Sequence, residues 1–179
     1  MKKMIAIMGA VAATQLAFAP AAHAIDGTIT IDGMVSSQTC TINGNGSGSA
    51  DFAVTLPSVA APALTVDGAE AGRTPFTIVV EGCSTKSGTV RTWFEPGANV
   101  DPTTKRLKNT AVGGATNVQI GLKNADLSAV VPGTATQDAG IDATSGVASL
   151  KYFAQYVATG GAVGAGAVNS SITYLMSYN

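Results

Sequence analysis

The chain has one histidine, two cysteines and one tryptophan in 179 residues, and charged side chains make up only 12% of it. Each scarcity removes a class of chemistry. The histidine, His23, falls in a stretch with the marks of an export leader. Lys2 and Lys3 are followed by a largely apolar run from Met4 to Phe18, and "APAAHA" then ends in the small-x-small pattern Ala22-His23-Ala24. This pattern predicts a secretory signal peptide over residues 1–24, cleaved before Ile25. A membrane anchor is the other reading of the run, but the run is short for a bilayer and no second such segment follows it. Loss of His23 with the leader excludes a histidine base, a Ser-His-Asp triad and a histidine metal ligand from the rest. No G-x-S-x-G occurs, and "GNGSGS" and "GGAVGAG" lack the spacing and the following Lys-Ser/Thr of a phosphate loop. Glu81 and Glu95 flank one predicted strand, but nothing in the sequence pairs them. No catalytic residue, no cofactor-binding residue and no metal ligand is expected, and the chain does not read as an enzyme.

Charge of one sign is lacking too. Subtracting the leader's Lys2 and Lys3 from the ten basic residues leaves eight against eleven acidic, a net charge of −3. A nucleic-acid partner is not expected, because phosphate binding needs a basic stripe. Lys105, Arg106 and Lys108 form the one basic cluster and read as a solvated turn. Asn45-Gly-Ser and Asn169-Ser-Ser match a glycosylation pattern so short that chance accounts for it. Trp93 and Phe94 read as packing rather than as a sugar-binding surface.

No segment keeps a helical period for long. What is present is alternation with period two, punctuated by glycine and proline, which is the pattern of an all-β domain. "FAVTLPSV" reads as a short strand stopped by Pro57. Phe76, Ile78 and Val80 share a face in the next, then Val90, Thr92 and Phe94. Val118, Ile120 and Leu122 follow, then Leu150, Tyr152, Ala154 and Tyr156. Ile172, Tyr174, Met176 and Tyr178 share a face of the last strand. The two cysteines, Cys40 and Cys83, are an isolated pair in an exported chain, which predicts one disulfide. A redox or metal role is the alternative, although there is no C-x-x-C.

The stretch that begins the predicted mature chain, "IDGTITIDGMVSSQTC", poses its own question. Ile25, Gly27, Ile29, Ile31, Gly33 and Val35 lie on one face, and Asp26, Thr28, Thr30, Asp32 and Ser36 on the other, with Met34 the one apolar intruder there. Strict alternation marks a strand buried on one side. No turn precedes it, however, and none follows before Cys40, so it has no evident surface of its own to cover. Folding back onto its own last strand is one answer.

A resemblance supplies another. The chain from Ile25 to Asn179 resembles the major subunits of chaperone–usher fimbriae of Gram-negative bacteria. The resemblance rests on the alternating extension with glycines on its apolar face, the spacing of Cys40 and Cys83, "YFAQYVATGGAVGAG" before the last strand, and the C-terminal pattern. In that pattern Gly166 stands fourteenth from the end, apolar residues alternate after it, and Tyr178 is penultimate. "AGRTPFTIVVEGC" and "WFEPG" are similar to the serotype-type fimbrial subunits. The resemblance implies an immunoglobulin-like sandwich, residues 37–179, that lacks its final strand and is completed by the extension, residues 25–36, of a neighbouring subunit. It implies an acceptor groove, also read by chaperone and usher, at Gly166, Ile172, Tyr174, Met176 and Tyr178. It further implies a periplasmic chaperone, an outer-membrane usher, identical subunits head to tail and a tip adhesin as partners, in a fimbria at the cell surface. The expected function is that of a structural subunit of an adhesive filament. A minor or tip subunit that binds a glycan directly is the alternative.

Overall fold

The computed structural model describes Val35 and residues 37–179. The predicted donor-face residues Ile25, Gly27, Ile29, Ile31 and Gly33 lie outside the described residues, and Val35 is fully exposed. From residue 37 on, the chain belongs to a single unit, Ser36–Asn179.

Eight strands and one short 3-10 helix make up this unit. In chain order they are β1 (Thr41–Gly44), the helix Ala61–Leu64, β2 (Glu70–Glu81), β3 (Thr89–Phe94), β4 (Leu107–Lys108), β5 (Val118–Asn124), β6 (Asp138–Gly140), β7 (Ala148–Ala158) and β8 (Tyr174–Tyr178). They form a five-stranded sheet of order β1-β2-β7-β5-β4 and a three-stranded sheet of order β6-β3-β8. Neighbouring strands are antiparallel in both. The inward residues of the two sheets meet in one core. Phe76, Ile78 and Val80 come from β2, Val90 and Phe94 from β3, and Leu150, Tyr152 and Ala154 from β7. Aromatic rings tie the layers together: Phe94 of one sheet meets Tyr152 of the other edge-on at 5.3 Å. Contacts of this kind add to the area term because ring edge and ring face carry opposite partial charge.

Local chemistry explains the shape of the long strand β2. Its outer half pairs with β1 only over Ile78–Glu81. Pro75, with no N–H to give, sits beyond that reach, paired with Phe153 of β7 on its other side. A proline is tolerated where a strand has an open flank. The strand's end is fastened by the disulfide between Cys40 and Cys83, which joins the start of β1 to the end of β2 across a sequence separation of 43. A loop of this length is worth about 3–4 kcal/mol through the unfolded chain. Small domains hold about 5–15 kcal/mol in total. Cys40→Ser is therefore expected to remove a large part of the margin. Alkylation and mass spectrometry should find one free thiol in the variant and none in the parent, and the urea midpoint should fall sharply.

Burial departs from simple alternation at two places, and both have causes. On β5, Gln119 points outward yet is buried, because Thr104 Oγ1 donates to its Oε1 at 2.8 Å and its Nε2 donates to Asp101 Oδ2 at 3.1 Å. On β7, Gln155 and Val157 are buried on the outward parity. Arg73 Nε donates to Gln155 Oε1 at 2.8 Å, and Val157 covers the bare backbone of Gly121. Ile120 and Tyr156 keep the inward parity but are only half-buried. They face openings.

A candidate strand-acceptor groove

The first opening lies between two stretches of chain that belong to no strand ladder on the sides facing it. One bank is the segment 50–56. Phe52, Val54 and Leu56 turn inward and are half-buried, while Ala53 and Thr55 are exposed, which is the parity of a strand. Yet the segment belongs to no ladder. The expectation of a short strand here fails on hydrogen bonding alone: side chains alternate, but no neighbouring strand lies alongside to pair with. The other bank is Asn169–Thr173, continuing into β8, which pairs only with β3 and is the edge of its sheet. Between the banks is a cavity of about 530 Å³ whose floor is apolar, with Phe76, Phe94, Ile120, Leu122 and Ala154 at its base. In the second bank the Ser170 hydroxyl is buried without a hydrogen-bond partner. A buried polar atom left unpaired costs free energy.

A second hollow of about 380 Å³ continues from the first on both sides. Ser58 and Val59 follow Leu56 on one bank, and Val163 to Val168 precede Asn169 on the other, over a floor that includes Leu64, Val118 and Tyr156. The second bank is held in place by its own backbone. Ala115 N donates to Ala167 O at 2.9 Å, Thr110 N to Asn169 O at 2.8 Å and Glu95 N to Thr173 O at 2.9 Å. Asn109 acts as the clasp: its Nδ2 donates to Ala115 O and Ala167 O, and its Oδ1 accepts from Asn169 N.

The predicted site residues fall in three places. Ile172 and Tyr174 line the first cavity. Gly166 lines the second hollow. Met176 and Tyr178 lie further along β8 and pack against the core, with Met176 Sδ accepting from Thr92 Oγ1 at 3.7 Å. Burial raises the pKa of the Tyr178 hydroxyl, and burial together with the Asp51 carboxylate raises that of Tyr174. Both stay protonated donors across the physiological range. At Gly166 the backbone is in tight contact: a Cβ there would stand 2.4 Å from Ala115 N, against main chain that has no room to yield. Gly166→Ala is therefore expected to push the second bank off the Asn109 clasp and to cost about 1–3 kcal/mol. A thermal melt of the variant would show it.

Sequence reasoning missed the first bank as part of the site, and it missed Ile120 and Asn109. The signal for Phe52, Val54 and Leu56 was visible as alternation. That the alternation has no partner strand was not. Among the described residues, no group of three His, Cys, Asp or Glu side chains converges as a metal site would need.

An immunoglobulin-like sandwich of this kind, open along the place of its last strand, defines a pilus subunit. Residues 56–179 match the family model described as "FimA: Type-1 fimbrial protein, A", and the chain belongs to that family of fimbrial subunits. It is 42% identical to the "F17 fimbrial protein" of Escherichia coli, over 99% of each chain. It is 46% identical to the "Major fimbrial subunit SMF-1" of Stenotrophomonas maltophilia, over 92% of this chain and 99% of that one. With the "Serotype 2 fimbrial subunit" of Bordetella pertussis the identity is 34%, over 90% and 91% of the two chains. Among solved structures, the rod subunit PapA of the P pilus shares the fold with a TM-score of 0.60 at 22% identity, over 78% of this chain and 99% of that one. A chaperone–usher pilus structure matches with a TM-score of 0.61 at 22% identity, over 90% of this chain and all of that one. The protein is a structural subunit of a fimbria that assembles with other subunits.

Proposed function

We propose that this subunit polymerises head to tail by donating residues 25–36 to the groove of the next copy, after removal of residues 1–24 on export. The observation that carries the proposal is the groove itself, an apolar trough with an unpaired extended edge on each side. An inserted strand gives both edges a hydrogen-bonding partner and sends alternate side chains into the floor. Residues 25–36 have the matching form. Twelve residues extend about 40 Å, and the first bank, the ten residues from Ala50 to Val59, runs about 33 Å. Burying Ile25, Ile29, Ile31 and Val35 is worth about 1.5–3 kcal/mol each, and Gly27 and Gly33 suit shallower points of the trough. Because donor and acceptor are different surfaces of one protomer, the contact is heterologous and repeats into an open filament.

Before assembly the same trough is an exposed, sticky edge. We assign its protection to a periplasmic chaperone that lends a strand, and the exchange to an outer-membrane usher, so that the finished filament stands on the cell surface with a tip adhesin at its end. The role is structural rather than enzymatic. The test is electron microscopy of a strain lacking the gene, complemented by the full chain or by a chain with residues 25–36 deleted after the leader. Filaments are expected only with the full chain. Filaments from the truncated chain would overturn the proposal.

A further inference from the structure

The two banks of the groove are already joined at one point. Tyr174, on the β8 bank, donates its hydroxyl to the Ala50 carbonyl of the opposite bank at 2.6 Å. Its ring also meets Phe52 of that bank edge-on, with centroids 6.1 Å apart. Among the described residues, no other hydrogen bond links residues 50–59 to residues 163–178. We propose that Tyr174 is a gate on strand entry, a strap across the empty groove that an incoming strand has to displace.

Three features make it a strap rather than ordinary packing. First, the Ala50 carbonyl belongs to the unpaired edge, where an inserted strand would present its own backbone N–H groups. The tyrosine hydroxyl thus stands in for a donor that arrives later. Second, the far side is seated. Phe52 lies so close over Gly44 that a Cβ on that glycine would fall 2.0 Å from the ring, so the ring is seated directly on the β1 backbone. Third, Tyr174 is only half-buried and ends in a polar atom, so it can turn out to water without stranding a charge. Satisfying the edge in the empty state also lowers the tendency of that edge to recruit a wrong strand. The cost is slower entry of the right one.

The inference rests on the strand-donation reading, and one experiment separates the two. The mature chain carrying Ile29→Asp, whose own extension is disabled, is given a dye-labelled peptide of residues 25–36, with and without Tyr174→Phe. Loss of the hydroxyl removes one net hydrogen bond from the empty state only, so uptake is expected to be about 5-fold faster. The melting temperature of the filled complex should be unchanged, because the strap is already open there. Equal or slower uptake by Tyr174→Phe overturns the gate and leaves strand donation standing. A filled complex that melts lower would make Tyr174 a packing residue and overturn it too. If the peptide enters neither protein, strand donation fails and the gate falls with it.

Discussion

Replacing Ile29 by aspartate is expected to abolish filament formation while the amount of folded subunit in the periplasm stays at the parent level. The same substitution one residue on, Thr30→Asp, is expected to have little effect. The contrast comes from period two: successive side chains of a strand point to opposite faces. Under the proposed strand donation, Ile29→Asp on the apolar face forfeits about 1.5–3 kcal/mol of burial. It also leaves an uncompensated carboxylate in an apolar trough, which costs about 3–5 kcal/mol more. Every 1.4 kcal/mol is tenfold in an equilibrium, so insertion should weaken by roughly a thousandfold or more. Thr30 faces water in the same arrangement, and a charge there is solvated. Neither change replaces a residue of the described sandwich core, which is built from β2, β3, β5 and β7, and under the proposed exchange both fall outside the subunit's own fold. Filament yield beside periplasmic subunit level is the measurement. Normal filaments from Ile29→Asp would refute the assigned face, and a collapse of the subunit itself would place the segment in its own core.

The parts of this fold that were legible in the sequence are those where one side of a strand is covered and the other is wet. Phe76, Ile78 and Val80, and Val90, Thr92 and Phe94, alternate cleanly, and the structure buries those six in the core or beside it. Alternation failed to predict burial where something outside the sheet covers it, as at Gln119 under the 101–104 turn. It also overstated burial where something is missing. Ile120 is the case in point. It sits mid-strand between Gln119 and Gly121, both buried, with the parity of Val118 and Leu122, and it is still half-exposed. Period-two reasoning gives the direction of a side chain, and only the third dimension shows whether anything stands opposite. For the same reason the 50–56 segment could be read as extended but not as unpaired. The Asn109 clasp was illegible for a different reason: it joins residues 58 and 60 apart in sequence, and no local pattern announces such a bond.

The acceptor side yields the second large effect, and combining it with the first tests the direction of assembly. Ile172 is half-buried on the second bank and lines the cavity, outside any paired strand. In the empty subunit, Ile172→Asp exposes its carboxylate to the open trough, so folding should be tolerated. Once a strand lies over it the charge is buried and unpaired, at a cost of about 3–5 kcal/mol. Strand binding should therefore weaken by roughly 100- to 4000-fold, and this variant too should make no filaments. The two dead variants are not dead in the same half. Ile29→Asp keeps a working groove, and Ile172→Asp keeps a working extension. Mixed in equal amounts, the extension of the second can enter the groove of the first. The product is a dimer whose remaining groove and remaining extension are both disabled, so growth stops at two. Size-exclusion chromatography with light scattering should find monomers in each variant alone and a one-to-one dimer in the mixture. A self-complementing extension predicts monomers throughout, because nothing crosses between chains. A reciprocal two-fold swap would also give a mixed dimer, with one intact and one doubly broken contact, but its unmutated chain would stop at a closed dimer instead of growing into a filament. A dimer that appears only on mixing, together with open-ended growth of the unmutated chain, is the outcome that a head-to-tail strand exchange alone produces.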